Sequence, residues 1–187
     1  MFSGKSEELI RRLRRSVIAR QRVQVFKPAL DDRFGEGEVV SRDDRRLKAI
    51  SVATSNELLA RVEIGVQVVG IDEVQFFDAG IVDVCMQLSD AGIRVIAAGL
   101  DQDYMRRPFG PMPALLAVAE EVSKMHAVCV RCRGAAHYSQ RLSGGDAQVE
   151  VGDSSYEARC RGCYEAYRAQ PVDEPEVQLT IPQPVVG

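Results

Sequence analysis

After Ser6, apolar residues recur at Leu9, Ile10, Leu13, Val17 and Ile18, with Arg11, Arg12, Arg14 and Arg15 filling the remaining positions. That spacing predicts an amphipathic helix. Residues 23–27 read as a short strand ended by Pro28, and the charged, glycine-bearing stretch 31–51 as a loop. Leu58, Leu59 and Val62 mark a short helix, and residues 66–71 an apolar strand that ends in two carboxylates, Asp72 and Glu73. Residues 81–91 have helical periodicity stopped by Gly92, and residues 93–100 read as the next buried strand, bringing Asp101, Gln102, Asp103 and Tyr104 to the same sheet edge. Pro108, Gly110, Pro111 and Pro113 mark a rigid loop before a helix at 114–122. Strands alternating with helices predict an α/β fold: a parallel sheet between helical layers, joined by right-handed crossovers. Ligands gather at the carboxyl ends of such strands, so acids there are better read as functional than as strand caps.

The texture changes after Met125. Cys129 and Cys132 form one C-x-x-C knuckle, and Cys160 and Cys163 a second, separated by strand-like pieces at 137–142 and 148–151 with a turn at 143–146. Two knuckles joined by a hairpin can set four thiolates around one zinc ion, a closed and therefore structural site. A pair of redox motifs is the alternative, disfavoured because neither knuckle opens a helix behind a thioredoxin-like strand. His126 and His137 then read as surface or packing residues, and Cys85 as a small buried apolar residue. Three units follow: a core at 1–125, a zinc-bearing lobe at 126–168 and a proline-rich flexible tail at 169–187.

With 187 residues, 45% of them hydrophobic, the chain can bury a core. A net charge of −3 with interspersed signs gives no reason to expect nucleic acid or an anionic membrane as partner. The arginines of the first helix, without interleaved aromatics, read as a solvated or subunit-facing surface. No apolar run reaches membrane-spanning length, and a cytoplasmic location is the expectation.

The candidate chemistry starts at Ser3-Gly4-Lys5-Ser6, the second half of a phosphate-binding loop of the form G-x-x-x-x-G-K-[ST]. Glycine lets backbone amides turn toward phosphate oxygens, and the helix behind presents its positive end to them. The first glycine and the strand feeding the loop do not precede it in the sequence. The expectation is therefore a translation start upstream of Met1, or a truncated chain, with the absent strand central in the sheet and its two neighbours' edges exposed.

Phe2 to Ser6, Asp31-Asp32-Arg33-Phe34, the run Ile71 to Phe77, Gly99-Leu100-Asp101 with Arg107 to Gly110, and two knuckles around Val149 to Tyr156 together resemble the type II thymidine kinase family over residues 1–168. The resemblance implies a P-loop, RecA-like core with a zinc-ribbon lasso lobe. It implies transfer of the terminal phosphate of ATP, with Mg2+, to the 5′-hydroxyl of thymidine, a structural Zn2+ on Cys129, Cys132, Cys160 and Cys163, and a homotetramer. By position, Glu73 matches the catalytic base; Ser3, Gly4, Lys5, Ser6, Asp72, Glu73, Val74 and Gln75 match the ATP site; Ser6 and Asp72 match the magnesium ligands. Met1, Phe76, Leu100, Tyr104, Ser139, Val149, Val151 and Tyr156 match the thymidine pocket, with Tyr104 where phenylalanine is common and Ser139 where threonine is common. Two other readings stay open: a nucleotide-binding regulatory homologue, and a zinc-ribbon ATPase stimulated by nucleic acid.

Overall fold

The computed structural model describes residues 2–30, 38–40, 46–142 and 155–165; Asp31 to Phe34, the turn at 143–146 and the strand-like piece at 148–151 lie outside them. Its central element is a parallel sheet in the order β4 (Ile50–Val52), β1 (Val23–Pro28), β5 (Val68–Ile71) and β6 (Arg94–Ala97). Alternation along the strands divides the core in two. Val25 and Val68 face α1 (Lys5–Ile18), packing on Leu9, Ile10 and Leu13. Phe26, Val69 and Ile71 face the other way, against α2 (Ser55–Arg61), α3 (Ile81–Asp90) and α4 (Met112–Val118) through Leu58, Ile81, Leu88 and Leu115. The predicted three-layer arrangement is therefore present, with one helix on one face and three on the other.

Gly70 explains how closely α1 sits. A Cβ there would lie 2.6 Å from Leu13 Cδ1, so only glycine leaves room for that leucine against the strand. The same period of two that points Val68 and Gly70 at α1 carries on to Asp72, just beyond the strand, and turns it toward the first turn of that helix.

Several elements differ from expectation. Val17 and Ile18 are exposed, because a helix of 14 residues runs about 21 Å while the four residues of β5 cover about 13 Å, and the last turn passes the sheet. The stretch 31–51, expected as loop, contains β4 and a short antiparallel ribbon of β2 (Glu38–Val40) and β3 (Arg46–Lys48). Strands of three residues are too short to show a period. β6 is only partly buried: it lies at one edge, with Ile96 buried and Arg94 and Ala97 exposed. The four strands are hydrogen-bonded without a gap, so the expected pair of exposed edges flanking a missing central strand is not seen among the described residues. α4 starts two residues earlier than predicted and ends at Val118, since Pro113 fits the first turn of a helix and Ala119 returns to extended backbone.

Beyond Met125, β7 (Ala127–Val128) pairs with β8 (Ala135–Ala136), and β9 (Tyr138–Arg141) with β10 (Tyr156–Arg159). β9 matches the predicted first piece; its partner is the segment starting at Tyr156. Among the described residues, the buried cluster of this lobe is Ala127, Cys129, Ala136 and Ala158, with Phe2, Cys160 and Cys163 packed on it.

Candidate active site and metal centre

Two chain segments meet at the carboxyl end of β5. Gly4 caps α1 in the left-handed region (φ 77°), which a side chain would strain, and its carbonyl accepts from the Glu8 amide. Lys5 and Ser6 open the helix, so its unpaired N–H groups and its positive end point to the same place. From the sheet side, Ser6 Oγ lies 3.4 Å from Asp72 Oδ1, and the Asp72 amide continues the ladder by donating to Phe26. Burial, reinforced by the neighbouring Glu73 charge, pushes the Asp72 carboxyl up to about 6; the Glu73 amide, the Lys5 charge and the Ser6 hydroxyl pull it down. An acid whose charge is costly in this place favours a cation beside it.

Glu73 adopts φ 47°, ψ 41°, a left-handed conformation uncommon outside glycine, and a single 3-10 turn follows at Val74–Phe76. Strain held by surrounding contacts at a strand end is an observation that points to a functional residue. The contacts that hold it are visible. Gln75 Nε2 donates to Glu73 Oε2 at 2.6 Å, and Gln75 Oε1 accepts from the Leu100 amide at 3.0 Å. Gln75, buried at 2% exposure, thereby locks the carboxylate to the loop after β6. Val74 is fully buried in the core, and Phe76 meets Phe109 edge to face at 5.5 Å.

Of the predicted nucleoside residues, Tyr104 and Tyr156 come together through a shared neighbour, Arg141. Tyr104, in the loop after β6, is buried, and Ser139 and Tyr156 are buried on the β9–β10 hairpin. Tyr164 Oη donates to the Tyr104 carbonyl at 2.6 Å, tying that loop to the lobe immediately after Cys163. Asp103 turns inward, accepting from the Met105 and Arg107 amides, and so shapes the loop. Met1, Val149 and Val151 lie outside the described residues. Arg141 carried no motif. It is buried, donates through Nη2 to Tyr156 Oη at 3.0 Å, and lies with its guanidinium carbon 4.0 Å from the Tyr104 ring centre. Its position two residues after Ser139, on the same strand face, is the signal that could have found it.

The four knuckle cysteines come together as predicted: their sulfurs all lie within 4.8 Å of one another, and Cys132 and Cys160 sulfurs are 3.5 Å apart. Four zinc–sulfur bonds of about 2.3 Å in a tetrahedron need sulfurs about 3.8 Å apart, so the cage fits a zinc ion. Thiolates are also the ligands this metal prefers. Backbone hydrogen bonding, first from Cys132, pulls the Cys129 thiol down to about 6, while hydrogen bonding with Cys160 and Cys132 pushes Cys163 up to about 12. Cys85 is elsewhere, on the buried face of α3 in the main core, where burial pushes its thiol up to about 11. His126 and His137 are exposed and meet edge to face, with ring centres 4.2 Å apart.

A parallel sheet with a lysine and a hydroxyl at a glycine-capped helix start, facing acids at a strand's carboxyl end, defines a P-loop phosphotransferase. Residues 1–164 match the family model described as thymidine kinase. The thymidine kinase of Bacteroides fragilis is 53% identical over 166 residues, covering 88% of this chain and 83% of its own. The thymidine kinases of Rhodothermus sp. and Porphyromonas gingivalis are 50% and 51% identical, covering 98% and 97% of this chain and 88% of each relative. The chain belongs to the thymidine kinase family.

Proposed function

We propose that this chain is an ATP-dependent thymidine kinase, moving the terminal phosphate of ATP to the 5′-hydroxyl of thymidine. The observation that carries the reading is the convergence of Lys5, Ser6, Asp72 and the Gln75-locked Glu73 at one sheet end. Ser3, Gly4 and the first amides of α1 cradle the phosphates, with Val74 and Gln75 on the adjoining turn. Lys5 offsets charge on the terminal groups. Ser6 and Asp72, two hard oxygen donors, would hold Mg2+, which when bound neutralises phosphate charge. Glu73 accepts the hydroxyl proton as the bond to phosphorus forms, and its fixed orientation brings the reacting groups together.

Leu100, Phe76, Tyr104, Ser139 and Tyr156 wall the nucleoside, joined in this reading by Met1, Val149 and Val151. The four cysteines carry a structural zinc ion that shapes this wall from behind and takes no part in transfer. Residues 1–125 act as the core and 126–168 as the lobe, with 169–187 as a tail. We further propose a homotetramer in the cytoplasm; no helix among the described residues is long and apolar enough to cross a membrane.

The test is phosphate transfer from labelled ATP to a panel of nucleosides. Consumption of ATP that depends on thymidine supports the reading. ATP hydrolysis indifferent to nucleosides and stimulated by DNA or RNA contradicts it.

A further inference from the structure

We infer that Arg141 is a positioning residue that sets the nucleoside pocket by holding Tyr104 and Tyr156 in fixed relation. The proposal rests on the nucleoside-wall reading above.

The geometry starts from the strand register. Arg141 on β9 stands directly opposite Tyr156 on β10, so the hairpin itself puts the guanidinium and the phenol side by side. The side chain then makes two contacts in different directions. Nη2 donates to Tyr156 Oη at 3.0 Å, and the guanidinium carbon sits 4.0 Å from the Tyr104 ring centre, with the Tyr156 ring at 5.5 Å. Tyr104 belongs to the core loop and Tyr156 to the lobe, so one cation spans the seam between them. It does so while only 5% exposed, where a planar guanidinium over an aromatic face is most favourable.

Few side chains can do both jobs. Arginine offers a flat face for the ring and a forked edge for the hydroxyl at once, whereas an ammonium supplies a point charge without the plane. Tyr104 is fixed from behind as well, since its carbonyl accepts from Tyr164. With the loop anchored, Arg141 sets where the hairpin tyrosine lies over the pocket. It acts on nucleoside affinity, and the phosphate end at Lys5 and Asp72 is served by other residues.

The experiment uses the zinc-loaded full chain. Thymidine Kd is measured by calorimetry, and kcat with KM for both substrates by phosphate transfer, for Arg141→Met, Arg141→Lys, Tyr156→Phe, Tyr104→Ala and the Arg141→Met/Tyr156→Phe double variant. Arg141→Met is expected to raise the thymidine Kd and KM about tenfold. Its kcat, ATP KM and zinc content stay within about twofold of the parent. Tyr156→Phe gives part of that loss, the double variant loses no more than Arg141→Met alone, and Arg141→Lys remains weakened. Where Arg141→Met does not fold, Tyr156→Phe and Arg141→Lys carry the test. Tyr104→Ala weakening thymidine while Tyr156→Phe and both Arg141 variants bind normally, or fully additive losses, overturns the role of Arg141. Tyr104→Ala at parental affinity overturns the wall assignment itself.

Discussion

The phosphate end of the core and the cysteine lobe are held by different forces. Around β5 the packing is of large apolar side chains: Phe26, Leu13 and Ile71 are fully buried, and α1 lies so near the sheet that Gly70 cannot carry a side chain. Among the described residues, the lobe's buried cluster is three alanines and a cysteine. Burial at about 25 cal/mol per Å² can hold the first region unaided, whereas alanines offer little surface to hold the second. Packing therefore orders the phosphate end, and the fit of four thiolates to a zinc ion points to metal as what orders the lobe.

The largest effect expected from this contrast is on removal of zinc. A strong chelator should abolish amide-exchange protection in β7 to β10 while β1 and β5 keep theirs, because zinc binding in a lobe of this kind contributes on the order of 10 kcal/mol of folding free energy. Unchanged protection of the β9–β10 pair after the metal is gone would mean the lobe holds itself. Second, Leu13→Ala opens a cavity beside Gly70 and should cost about 2–5 kcal/mol in urea unfolding while zinc stoichiometry is unchanged. A loss of zinc in that variant would join the two regions and break the comparison.

The smallest effect concerns Glu8, which hydrogen-bonds Arg11 and Arg12; those bonds pull its carboxyl down to about 2 from an ordinary 4.5. The folded value is depressed, so the stabilisation is present above pH 4.5 and fades as pH falls through about 2. Glu8→Gln should therefore lose under about 1 kcal/mol at pH 7, as surface pairs do, and the gap should narrow toward pH 3. A gap that widens on acidification reverses the assigned sign.

Most of the core was legible because helices such as α1 and α3 and the strand ending in Asp72 carry periodic patterns long enough to read. The metal cage was legible for a different reason: C-x-x-C spacing fixes local geometry, and two such turns leave little else for the sulfurs to do. What escaped was set by tertiary neighbours. The three-residue strands between Glu38 and Val52 have too few positions for a period, and the exposure of Ile18 and Arg94 depends on where the sheet stops. Gln75 appeared in the sequence as one member of a motif; its grip on Glu73 and Leu100 needs the loop after β6 folded against it. Arg141 had no motif, and its neighbours become tyrosines only when hairpin and core are docked.

The central claim is that Glu73, fixed by Gln75 beside the phosphate end of α1, receives the nucleoside proton. Turnover of Glu73→Gln with saturating thymidine and ATP, measured with ATP affinity on the same sample, tests it most directly. A fall in kcat of about a hundredfold or more is expected, with ATP Kd held within about twofold. Turnover close to that of the unaltered chain would contradict it.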